Sequence, residues 1–172
     1  MKSNTQKIVT LGLFLAIAII LNIVENITIN IIFIPGIKLG LANISMIFIL
    51  YFYGYKEMFA TNVLRIVVAN LITGQLFGMP FVISMASGLF SMLIILPIYK
   101  SKVFSIYGIS MTQAITFNFA QITTVSLLYS STVFFYYLPY LLLTGVVTGF
   151  LVAFIAVKII YLMRHTLKPI NE

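Results

Sequence analysis

Apolar residues run along this chain in long blocks, interrupted only where proline, glycine or charged residues cluster. Those breaks divide it into six segments, approximately Ile8–Asn26, Leu39–Tyr53, Met58–Leu76, Phe81–Tyr99, Ile106–Tyr129 and Phe134–Tyr161. A helix needs about 20 mostly apolar residues to cross the hydrocarbon of a bilayer. The pattern therefore predicts an all-α integral membrane protein, a six-transmembrane-helix bundle forming a single domain over residues 1–172. The second segment is short and can begin inside the turn that precedes it.

Polar residues inside such blocks are costly and usually face a bundle interior or a watery cavity. Glu25 lies near the end of the first segment, with Asn22 and Asn26 at helical spacing beside it. Arg65 is nine residues from Lys56, about 13 Å deep along a helix, and shares a face with Asn62. Asn70 and Gln75 follow, and the fifth segment adds Gln113, Asn118 and Gln121. Two readings stay open. Glu25 can pair with Arg65 or Lys38 as internal glue, with the amides bonding between helices, or the group can line a ligand site.

Composition agrees with the pattern. The hydrophobic share is 62% and the charged share 8%, with a mean hydropathy of +1.15, too few charges for the polar shell of a soluble domain. The net charge of +7 is a matter of topology. With the N-terminus inside, Lys2, Lys7, Lys56, Lys100, Lys102, Lys158, Arg164 and Lys168 all fall on the cytoplasmic side, leaving Lys38 outside and Arg65 within a span. Both termini are then cytoplasmic, and no nucleic-acid partner is implied. The first segment lacks a small-x-small cleavage pattern and reads as a retained helix. His165, the single histidine, sits in a basic tail and reads as a solvated surface residue.

The missing residues restrict the chemistry. The sequence contains no aspartate and no cysteine, whereas metal-assisted diphosphate chemistry uses clustered carboxylates around Mg²⁺. A Ser-His-acid set cannot be assembled from one tail histidine, and no phosphate loop of the G-x-x-x-x-G-K-[ST] type occurs. The chain reads as a non-enzyme with no metal site and no cofactor of its own.

Small residues form two stripes, Gly12 with Ala16 in the first segment and Gly145, Gly149 and Ala153 in the last. Such stripes allow close helix approach, within the chain or, for Gly12 and Ala16 above all, against a partner. The tract Phe134-Phe135-Tyr136-Tyr137 before Pro139 reads as a membrane-interface belt or as a lid over a ligand.

The stretch PGIKLGLANIS, Pro35–Ser45, joins several unusual residues at fixed spacing. It resembles the signature of the family labelled heptaprenyl diphosphate synthase component I, also called the Gx transporter family. The resemblance extends through LRIVVANLITG at Leu64–Gly74, SGLFSMLIILP at Ser87–Pro97 and FYYLPYLLLTGVVTG at Phe135–Gly149. The family label implies a part in prenyl diphosphate synthesis. The family is also similar to the substrate-capturing S components of energy-coupling factor (ECF) transporters, multi-pass proteins of the bacterial plasma membrane. These bind a vitamin-like solute and dock on a transmembrane subunit driven by two ATPases. That likeness implies a docking pair at Gly12 and Ala16, and ATP hydrolysis in partner subunits. It implies a turn made by Pro35 and Gly36, close packing at Gly40, and a site mouth lined by Lys38 and Asn43. Lys38 and Arg65 are expected to meet negative groups, Asn22, Asn26, Asn43, Asn62 and Asn70 to supply hydrogen bonds, and Tyr136 and Tyr137 to stack. Two rivals remain: a non-catalytic membrane component of heptaprenyl diphosphate synthase, and a stand-alone carrier, although no inverted repeat marks the latter.

Overall fold

A computed structural model describes the backbone of residues 4–32 and 40–163 and the side chains of residues 5–25 and 40–163. Lys38, with Pro35 and Gly36, lies outside the described residues, as do Arg164, His165 and Lys168, and so does the side chain of Asn26. The described chain forms helices α1 (Asn4–Ile32), α2 (Ala42–Tyr53), α3 (Tyr55–Ile72), α4 (Met79–Ser101), α5 (Ile106–Leu128) and α6 (Leu138–Met163), with a 3-10 turn over Thr132–Tyr137 before α6. No strand occurs among the described residues.

Local chemistry accounts for the helix ends. Gly54 alone separates α2 from α3, and its φ of +91° is a conformation open to glycine without a Cβ clash. Its N–H donates to the carbonyls of Ile49 and Leu50 and so ends α2. Helix α3 stops at Ile72, short of the predicted Leu76, because Gly74 turns the chain into the left-handed region at φ +67°. Pro80 and Pro139 each fall in a first helical turn, where a missing N–H costs no intrahelical bond. Ser105 caps α5 by accepting from the N–H of Gly108.

Among the described residues, three stretches are long and apolar enough to cross a membrane: Thr5–Glu25, Met79–Ser101 and Thr132–Met163. Helix α2 is apolar but only 12 residues long, about 18 Å. Met46, Ile47, Phe48 and Ile49 are all at most 1% exposed, so the middle of α2 is buried, as expected of a helix that is hydrophobic all round. Phe48 stacks on Phe14 of α1 at 3.8 Å between ring centroids and approaches Phe52 at 4.6 Å. Met58, Met92, Ile95, Val152 and Ala156 close this dry core.

Helices α5 and α6 meet most closely at glycine. A Cβ on Gly149 would lie 2.7 Å from Met111 Cα and 3.0 Å from the Ser110 carbonyl oxygen. The Ser110 hydroxyl donates to the Gly149 carbonyl at 2.7 Å across the same contact.

Candidate functional site

The two ends of the bundle differ in chemistry. At one end Lys7 of α1 pairs with Glu57 of α3, and Tyr55 of α3 lies 6.4 Å from Tyr99 of α4, ring to ring. Lys56, Lys100 and Lys102 belong to this basic end. The second half of α3 runs away from it, and there a cavity of about 280 Å³ opens among all six helices.

Glu25, near the end of α1, faces that cavity and is 4% exposed. Its Oε1 accepts the backbone N–H of Gly40, which ties the last turns of described α1 side chains to the approach of α2. Gly40 sits at φ +72°, and a Cβ there would meet Asn43 Nδ2 at 3.3 Å. The glycine of the motif is thus demanded by backbone conformation and by the neighbouring amide together.

Arg65 enters from α3 and is 6% exposed. Its Nη2 donates to Asn62 Oδ1 at 2.8 Å, one helical turn earlier, while its Nε is buried without a partner. Among the described residues, the ion pair in contact is Lys7 with Glu57. Arg65 is instead attracted by Glu25 across the shared cavity. A buried guanidinium held this way is an incompletely satisfied charge, which costs free energy. Room for its Asn62 partner comes from α4, where a Cβ on Gly88 would meet Ile66 Cδ1 at 2.7 Å and Asn62 Nδ2 at 3.3 Å.

Amides and hydroxyls supply most of the remaining polar wall. Asn22, Asn43, Asn70, Gln75, Asn118 and Gln121 line it with Thr73, Ser84, Ser110 and Thr148. Some already have work. Asn70 Nδ2 donates to the Ile66 carbonyl at 2.7 Å, and Asn118 Nδ2 bonds the Leu141 carbonyl at 2.7 Å, linking α5 to α6. Gln121 Oε1 is buried without a partner. Phe117 is the aromatic side chain of the wall. Among the described residues no cluster of His, Cys, Asp or Glu could hold a metal ion.

The residues expected at a site are thus distributed unevenly. Glu25, Asn22, Asn43, Arg65 and Asn70 converge on the cavity. Asn62 stands behind Arg65 as its hydrogen-bond partner. Tyr136 and Tyr137 lie on the 3-10 turn, 85% and 60% exposed, and do not line the cavity. Asn118 and Gln121, polar positions of the fifth segment, line the cavity too, and Ser110 and Ala114 join them without having been expected there. Their spacing of three and four places them on one face of α5 with Phe117, and that periodicity was the available signal.

The two small-residue stripes also separate. The α6 stripe is filled by α5. On α1, Gly12 and Ala16 are exposed, and a Cβ on Gly12 would meet nothing within 4 Å. Around them Ile8, Val9, Leu13, Ile17 and Ile20 are exposed as well.

A family model described as heptaprenyl diphosphate synthase component I matches residues 14–159. That range contains every residue of the cavity wall. No curated protein and no solved structure matches the chain.

Proposed function

Because the chain belongs to the heptaprenyl diphosphate synthase component I family, we propose that it is a non-catalytic, substrate-binding membrane subunit. It works in the manner of an S component of an ECF-type transporter. On this reading six helices cross the bacterial plasma membrane with both termini in the cytoplasm. The cavity opens on the outer side, and partner ATPases supply the energy. The observation that carries it is the cavity itself: a buried, half-satisfied Arg65 facing Glu25 inside a wall of amides. Such a wall suits a small polar solute with a negative group for Arg65 and hydrogen-bonding edges for the amides. The exposed apolar face of α1 around Gly12 and Ala16 is the natural place for a transmembrane partner.

The family description favours a second reading, a membrane component of a prenyl diphosphate synthase that acts with a catalytic subunit. A chain of seven isoprene units is apolar along nearly all its length, and the wall of this cavity does not match it.

One experiment separates the two. The protein is purified gently from its native membrane, and bound small molecules and copurifying chains are identified by mass spectrometry. Transport predicts a polar solute and ATPase-bearing partners. Replacing Arg65 by Gln should then lower solute occupancy about tenfold or more, the cost of a hydrogen bond to a charged group, while thermal unfolding reports whether the bundle persists. Recovery of a soluble synthase subunit with a prenyl diphosphate, and no ATPase, overturns transport in favour of the second reading.

A further inference from the structure

A second cavity lies at the basic end, between the later half of α2, the end of α4 and the start of α5. It has a volume of about 380 Å³, and its floor is Ile47, Leu50, Ile106 and Ile109, with Tyr99 and Lys102 at its edge. No cavity-wall residue of the polar site takes part. Its lining contains one charged side chain, that of Lys102.

Lys102 is placed there at a cost. It sits at φ +54°, in the left-handed region that non-glycine residues seldom occupy. Its N–H closes α4 on the Tyr99 carbonyl at 3.4 Å. Two residues on, Phe104 lines the groove while 51% exposed, and Val103 between them is 81% exposed. A loop that offers valine and phenylalanine to its surroundings next to an exposed lysine has the make-up of a segment at a membrane surface, apolar side chains in the acyl region and the ammonium at headgroup level. Glu57, the acidic side chain described at this end, is already engaged by Lys7. The groove thus combines an apolar floor with an unopposed positive rim.

We infer that this groove holds one acyl chain of an anionic phospholipid, with its headgroup phosphate on Lys102. Charge complementarity and the exposed loop select this occupant. A zwitterionic lipid would bring a cationic group beside its phosphate and offer Lys102 no net counter-charge, and a soluble anion would make no use of the apolar floor. The site is independent of the solute reading of the polar cavity, because it shares no residue with it.

The test is native mass spectrometry of the purified, delipidated protein re-exposed to equal amounts of phosphatidylglycerol and phosphatidylcholine of identical chains. The wild-type protein should retain phosphatidylglycerol about fivefold better, the expected worth of one lysine at an anionic membrane surface. Lys102→Gly keeps the left-handed turn at no backbone cost, so it folds, and it should retain the two lipids equally. Lys102→Arg should restore the preference. Ile106→Trp, which fills the floor, should lower the retention of both lipids. Equal retention by the wild-type protein, or an undiminished preference in Lys102→Gly, would overturn the assignment.

Discussion

Two stretches of this protein carry the same sequence pattern and meet opposite fates. Gly145 and Gly149 on α6 are pressed against α5, so that a Cβ on Gly149 would strike the backbone of Met111, and Ala153 is fully buried. Gly12 and Ala16 on α1 face open space. Small residues at four-residue spacing state that something can come close, and they do not state what. On α6 the approaching surface is within the chain. On α1 no described residue supplies one, and a face of apolar side chains surrounds the gap. The difference distinguishes glycine as an internal packing device from glycine as an unfilled socket.

One substitution, applied at each position, tests the distinction most severely. Gly149→Ala drives a methyl into Met111 Cα and the Ser110 carbonyl, backbone atoms that cannot step aside. Overpacking of this kind costs on the order of 3 kcal/mol, and thermal unfolding in detergent should show a large fall in midpoint. An unchanged midpoint would mean that α5 and α6 are not packed in this way. Gly145→Ala is milder, because the methyl meets the Asn118 amide at 2.9 Å, the end of a side chain. Its expected cost is about 1 kcal/mol, the loss of the hydrogen bond from Asn118 to the Leu141 carbonyl, read by the same unfolding measurement.

The sign should then reverse on α1. Gly12→Ala adds a methyl where there is no neighbour and removes the helix penalty of glycine, a gain of up to about 1 kcal/mol. A loss of stability there would show that the α1 face is packed after all. Ala16→Leu is expected to leave unfolding within about 0.5 kcal/mol of the wild type. If the α1 face is a docking surface, the same variant should recover less of the transmembrane partner when complexes are pulled from native membranes. Full recovery would leave the α1 face to lipid.

The contrast also explains what the sequence could disclose. The helices were legible because hydropathy and breakers such as Gly54 and Pro80 act locally, and the short α2 was visible as a short apolar run. Glu25 and Arg65 were legible because a charge within an apolar block is conspicuous whatever surrounds it. Their amide neighbours Asn22, Asn43 and Asn70 came with them by helical spacing. Ser110 and Thr148 were harder to assign. Hydroxyls in apolar helices often bond their own backbone, as Thr116 does to the Thr112 carbonyl at 2.7 Å, so their presence alone does not mark a cavity. Tyr136 and Tyr137 show the converse. Their composition suits stacking, while their position on an exposed turn is decided by where α6 begins at Leu138 and Pro139.

Helix α2 has a consequence for how the protein is made. Insertion into a bilayer selects segments of about 20 apolar residues, and among the described residues the stretches that meet this standard lie in α1, α4 and α6 with its preceding turn. Helix α2 falls short in length, and α3 carries Arg65 in its middle. Joined through a single glycine, they form a hairpin whose parts are poor candidates for entry alone. Hydropathy alone therefore does not carry α2 and α3 into a bilayer, and their place depends on burial against partners such as Phe14, Met92 and Val152.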